Sequence, residues 1–117
     1  MTAPNIVNDA TITGKTAVQA VGTSAAAIVT NPGSSNKVFK INALYVSNVD
    51  GTNAANINVS VQRSGTDYHI GKTISVPADS SLDVISKSLY LEEGDALRLL
   101  ASVASDLEAV CSYEEIS

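Results

Sequence analysis

Between Asn56 and Arg63 the chain reads NINVSVQR. Ile57, Val59 and Val61 fall on one side of an extended backbone, with polar residues on the other. Side chains of a strand alternate between two faces, so this is the pattern of a half-buried strand. A helix would scatter the same three residues around its circumference. The alternation recurs, less strictly, in KVFKINALYVSNV (37–49), TISV (73–76) and SLDVI (81–85). These runs are rich in the β-branched and aromatic residues that favour a pleated surface.

Turn chemistry separates them. NPGSSN (31–36), DGTNAAN (50–56), RSGTD (63–67), PADSS (77–81) and EEGD (92–95) supply Gly, Pro, Asn or Asp where a chain reverses. Eight strand candidates result: 11–21, 25–30, 37–49, 56–63, 67–76, 81–91, 96–103 and 107–114. This spacing predicts an all-β fold, an antiparallel β-sandwich or jelly-roll-like domain over 11–117. Residues 1–10 are polar without alternation and are expected to form an N-terminal arm. DALRLLASVASDLEAV (95–110) also fits a helix through Leu97, Leu100, Ala101, Ala104 and Leu107. A strand pair turning at Ala104–Asp106 agrees better with the rest of the chain.

A chain of 117 residues buries a modest core. Its aromatics are Phe39, Tyr45, Tyr68, Tyr90 and Tyr113, and it has no Trp. Val, Ile, Leu and Ala must fill the interior, at about 25 cal/mol per Å² of apolar area buried. Burial against neighbouring subunits would add to such a core.

The net charge is −5, which argues against nucleic acid as a partner, since phosphate binding needs clustered Lys and Arg. The charge is uneven: residues 1–63 carry +2 and residues 64–117 carry −7. A domain whose halves formed separate faces would be electrically polar and suited to lattice docking. The start MTAPNIVNDA lacks a basic and an apolar region, and no apolar run is long enough for a membrane helix. The expectation is a protein made in the cytoplasm, with no membrane partner. The single Cys111 excludes an internal disulfide framework and reads as a buried thiol.

No motif of chemistry in the chain is complete. SGTDYHIGKT (64–73) ends like a phosphate-binding loop, yet five residues separate Gly65 from Gly71, one more than GxxxxGKT allows. The run continues as ISVP, a strand, where a helix N-terminus is required. For Gly14-Lys15-Thr16 the upstream glycine position holds Asp9. Both read as glycines within or beside strands. The only histidine, His69, has no marked nucleophile or orienting carboxylate and reads as packed beside an aromatic or at a subunit contact. EEGD, SYEEIS and NVDGTN lack the ligand spacing of a calcium site and read as turns or solvated surface. No catalytic residue, cofactor or metal is therefore expected, and no enzyme activity.

The ordered segments carry more. VSNVDGTNAANINV (46–59), ISVPADSSLDVISK (74–87) and SYEEI (112–116) are the most specific pieces of a pattern spanning about residues 11–117. This pattern resembles small structural proteins of tailed bacteriophages, chiefly those of cyanobacteria and marine bacteria. The resemblance implies a β-rich virion component. Its expected role is capsid decoration, or cement: a homo-oligomer, a trimer being favoured, bound to the major capsid protein on the virion. The expected partner-binding residues are those of the arm: Thr2, Ala3, Pro4, Asn5, Ile6, Val7, Asn8 and Asp9. Two alternatives stay open. One is a tail, neck, baseplate or fibre-associated component. The other is a carbohydrate- or receptor-binding sandwich using Tyr45, Tyr68 and Tyr90 as stacking platforms.

Overall fold

Alternating side chains need a partner layer, and the chain supplies one by rolling up on itself. The structure, a computed structural model, describes residues 11–117. The arm, and with it Thr2–Asp9, lies outside the described residues. The strands are β1 (Ile12–Ala20), β2 (Ala26–Thr30), β3 (Val38–Asn48), β4 (Ala55–Arg63), β5 (Thr66–Val76), β6 (Ser81–Asp83), β7 (Leu89–Leu91), β8 (Ala96–Ala101) and β9 (Leu107–Ile116).

The topology is one long hairpin, folded over. β4 and β5 form its tip, and then β3 pairs with β6 and β7, β2 with β8, and β1 with β9, all antiparallel. Cross-pairs β3–β9 and β4–β8 close the roll into two sheets, β1-β9-β3-β6/β7 and β2-β8-β4-β5. This is the double-sheet arrangement of a jelly-roll-like sandwich. The tip is the Ser64-Gly65 turn, both residues at positive φ (54° and 79°), as a two-residue hairpin loop requires.

The core lies between the sheets. Ile41, Leu44 and Val46 of β3 face Ile57 and Val59 of β4 and Leu97 and Leu99 of β8, all essentially buried. Val61 is half-buried against the same core, so the alternation of NINVSVQR is realised as expected. The helical alternative for 95–110 is absent: β8 and β9 occupy it, joined by a turn. Val103 sits in that turn and is exposed instead of continuing the strand.

Three expectations need correction. The candidate 81–91 is broken into β6 and β7, which share one strand position beside β3. Between them the Val84 N–H reaches the Leu44 carbonyl at 2.9 Å, and Ile85 turns into the core. Thr66, read as turn, already belongs to β5. The charge halves do not form separate faces. β9 lies between β1 and β3, and β8 between β2 and β4, so both halves are present in both sheets. The contrast becomes pairing: Lys15 and Lys37 meet Glu115, and Arg63 meets Glu92 and Asp95.

Buried asparagines tie the loops at both ends. At one end Asn31 donates to the carbonyls of Lys37 (2.9 Å) and Leu91 (3.0 Å). At the other, Asn48 donates to the carbonyls of Asn53 and Val76, each at 2.9 Å. Hydrogen bonds of this kind satisfy the buried amide and tie each loop to a strand end. The Asn48 end joins VSNVDGTNAANINV to ISVPADSSLDVISK through the bond to the Val76 carbonyl.

Candidate functional site

The strand order brings Tyr68 and Tyr90 to one groove. Tyr68 stands on β5, the edge of one sheet, and Tyr90 on β7, at the margin of the other. Together with Val61, Arg63 and Leu89 they line a groove of about 450 Å³. Both rings are largely solvent-facing, Tyr68 at 61 % and Tyr90 at 45 % exposure. Two phenol rings over an apolar floor can stack on a flat ligand face and offer hydroxyls at its rim. Tyr45 does not join them. It lies on the outer face of β3, in register with Val110 of β9, and through it with Val18 of β1.

Arg63 anchors the groove. Its Nε donates to Asp95 Oδ1 at 2.8 Å and its Nη2 to Asp95 Oδ2 at 2.6 Å, with Glu92 Oε2 at 3.0 Å. Asp95 is buried and also accepts the Glu92 N–H at 2.9 Å. Burial works against its charge, but the guanidinium and the Glu92 N–H outweigh it and hold the carboxyl below the ordinary range. Asp95 in turn raises the Arg63 pKa further. The acids of EEGD are thus engaged in tying β4 to the β7–β8 loop, and Glu93 accepts the Asn36 N–H at 3.0 Å.

Three further acids interact with neighbouring groups. Glu115 bridges Lys15 (2.9 Å) and Lys37 (3.1 Å) and is lowered in pKa, through the Lys15 hydrogen bond first. Asp50 accepts the Thr52 N–H at 2.9 Å, which lowers it, while burial and the Asp50 charge raise Asp106. Among the described residues no cluster of three or more His, Cys, Asp and Glu side chains is placed to hold a metal ion.

The phosphate-loop stretch is settled by geometry. Gly71 lies within β5, opposite Val59, and the Ile74 side chain folds over it where a Cβ would stand. Thr73 takes a left-handed φ of 57°, and its N–H donates to Asn58 Oδ1 at 2.6 Å. This is a bulged edge strand, without a helix to receive phosphate. Gly14-Lys15-Thr16 lies in β1. His69 is exposed on β5, next to exposed Tyr68 and Ile70. Cys111 is fully buried, as expected, and burial pushes its thiol up to about 11.

The pairing of Tyr68 with Tyr90 and of Arg63 with Asp95 was not foreseen. Each joins residues 22 to 32 positions apart through strand order, and no local pattern marks it.

The class defined is a jelly-roll-like β-sandwich. No family model matches the chain, and no curated protein does. Among solved structures it is similar to the one described as "Bacillus endospore appendages form a novel family of disulfide-linked pili". The likeness covers 100 % of this chain and 96 % of that one, at 18 % identity and a TM-score of 0.56. At that identity the likeness shows the shared fold. The nucleoplasmin-like N-terminal domain of Drosophila FKBP39 aligns over 91 % of this chain and 89 % of its own, at 14 % identity and a TM-score of 0.42.

Proposed function

We propose that this chain is a structural subunit that acts by assembly, and that its setting is the virion of a tailed phage, as a head decoration protein. The observation that carries the assembly reading is the end-to-end fold likeness to a pilus-forming appendage protein. The virion setting rests on the sequence resemblance. The role is mechanical and needs no catalysis: copies bound across capsomer joints add buried area that resists internal pressure. The partner is the major capsid protein, contacted through the arm that contains Thr2–Asp9. The protein acts as a homo-oligomer. The protein is made in the host cytoplasm and resides on the particle.

The test is reconstitution. Purified protein added to heads lacking it should bind saturably and raise their melting temperature. Protein that stays unbound at high concentration ends the decoration reading. A tail, neck, baseplate or fibre component is the alternative within the virion.

A second reading is favoured by the Tyr68–Tyr90 groove, which suits the ring face of a sugar. Glycan-array binding lost in Tyr68→Ala and in Tyr90→Ala supports it, and a flat array removes it.

A further inference from the structure

The sandwich has four strand edges among its described residues, and they differ in quality. β6 and β7 are three residues each. β2 has five residues and a register shift between Ala27 and Val29. β5 has two register shifts against β4 and the left-handed Thr73. Short, bulged or kinked edges resist pairing with another chain. β1 is different: nine residues, an unbroken register on β9, no positive φ and no proline.

The ladder shows which groups β1 leaves open. The Val21 N–H donates to the Leu107 carbonyl at 2.9 Å, and the Ser117 N–H to the Thr11 carbonyl at 3.0 Å. Both bonds join residues directly opposite in the register that pairs Ile12 with Ile116. Bonded and non-bonded pairs alternate in an antiparallel ladder, so the odd residues of β1 bond to β9. The N–H and C=O groups of Ile12, Gly14, Thr16, Val18 and Ala20 therefore point to the open edge.

We propose that this edge is an interface with a second copy of the same chain: β1 pairs antiparallel with its counterpart about a two-fold axis at Thr16. The occupant follows from the inventory of edges. β1 is the only clean one among the described residues, so an edge-to-edge contact between copies uses it on both sides. That makes the contact isologous and closed. With Thr16 opposite Thr16 of the partner copy, Gly14 faces Val18 and Ile12 faces Ala20. All five open residues find bonding partners. The two strongly exposed apolar side chains of β1, Ile12 at 58 % and Val18 at 75 %, each land opposite a small residue. Gly14 has open space where a side chain would be, which leaves room for Val18. Lys15 faces Ala17. Moving the axis to Lys15 would oppose two like charges, which destabilises a strand pair. The two copies would then share one continuous sheet. The inference rests on β1 alone and holds whether or not the protein belongs to a virion.

The test uses the full chain in solution. Analytical ultracentrifugation should give a concentration-dependent mass of twice 12.1 kDa. Thr16→Pro removes an N–H that the fold does not use, at an edge position where proline is tolerated. It should abolish the dimer while leaving the melting temperature of the monomer nearly unchanged. Val18→Lys, at an exposed position, is the second variant and should also give monomers. Amide exchange on the wild-type protein should show the N–H groups of Gly14, Thr16 and Val18 protected at high concentration and exposed on dilution. A monomer at every concentration, a trimer, a dimer that survives both variants, or edge amides that exchange freely within the dimer overturns the proposal.

Discussion

Arg63 holds the buried Asp95 through two guanidinium nitrogens, at 2.8 and 2.6 Å. The pair fastens the tip hairpin to the β7–β8 loop and sets one wall of the tyrosine groove. Removing the arginine leaves a carboxylate with about 1 % exposure and only the Glu92 N–H to satisfy it. Arg63→Met should therefore cost about 3 kcal/mol in urea unfolding at neutral pH, the cost of uncompensating a buried charge. The pH dependence has a definite sign. In the native protein the Asp95 pKa lies below its ordinary 3.8, so its stabilisation is present above that value and lost as pH falls through the lower one. In the variant burial is no longer outweighed and the pKa rises. The deficit of Arg63→Met should then shrink on acidification toward pH 4. A deficit that grows on acidification would contradict this account.

Asn31 and Asn48 are predicted to matter more than their polarity suggests. Each donates from a buried position to one loop carbonyl and one carbonyl at a strand end. Asn48→Ala removes both bonds from a buried site, and should cost about 2–3 kcal/mol. Asn31→Ala should cost a similar amount, and the two sites, at opposite ends of the sandwich, should be additive in the double variant. Thermal or urea denaturation measures this directly.

These ties explain how much of the fold was legible in the residues. Period two marks a strand because one face must be buried, so Ile57 and Val59 could be placed at once. Turn residues placed the reversals for local chemical reasons. Strand order has no such local signature. That β9 inserts between β1 and β3 depends on contacts between distant residues. The charge contrast between the halves consequently resolved into ion pairs such as Lys15–Glu115. The break between β6 and β7 was hidden for a related reason. Val84 and Ile85 look strand-like, but the backbone there bends to bond Leu44 and to bury Ile85. The groove was half legible: Tyr68 and Tyr90 were singled out as platforms, while their meeting depends on the roll.

The two Gly-Lys-Thr sequences give a contrast. A methyl group at Gly71 would displace the Ile74 side chain, whereas at Gly14 it would meet open space. Gly71→Ala should cost about 1–2 kcal/mol, the range of local overpacking. In the monomer Gly14→Ala should lie within about 0.5 kcal/mol of the native protein, as surface changes do. Equal effects at both sites, read from melting curves, would contradict the placement of Gly71 in a bulged strand under Ile74.

Cys111 should be inert in the folded state. Its thiol is fully buried and burial raises its pKa to about 11, so little thiolate exists at neutral pH. A thiol reagent should react negligibly with native protein and stoichiometrically in denaturant. Rapid native labelling would mean that the β1–β9–β3 sheet opens readily.

The measurement closest to the central claim is the number of copies of this chain on purified phage particles, by quantitative mass spectrometry. A head decoration protein should be present on the order of hundreds of copies, as repeated occupancy of a symmetric lattice requires. A few copies to a few tens would contradict the head assignment and place the chain in the tail, neck or baseplate. A chain found in infected cells and absent from the particles would contradict the virion account altogether.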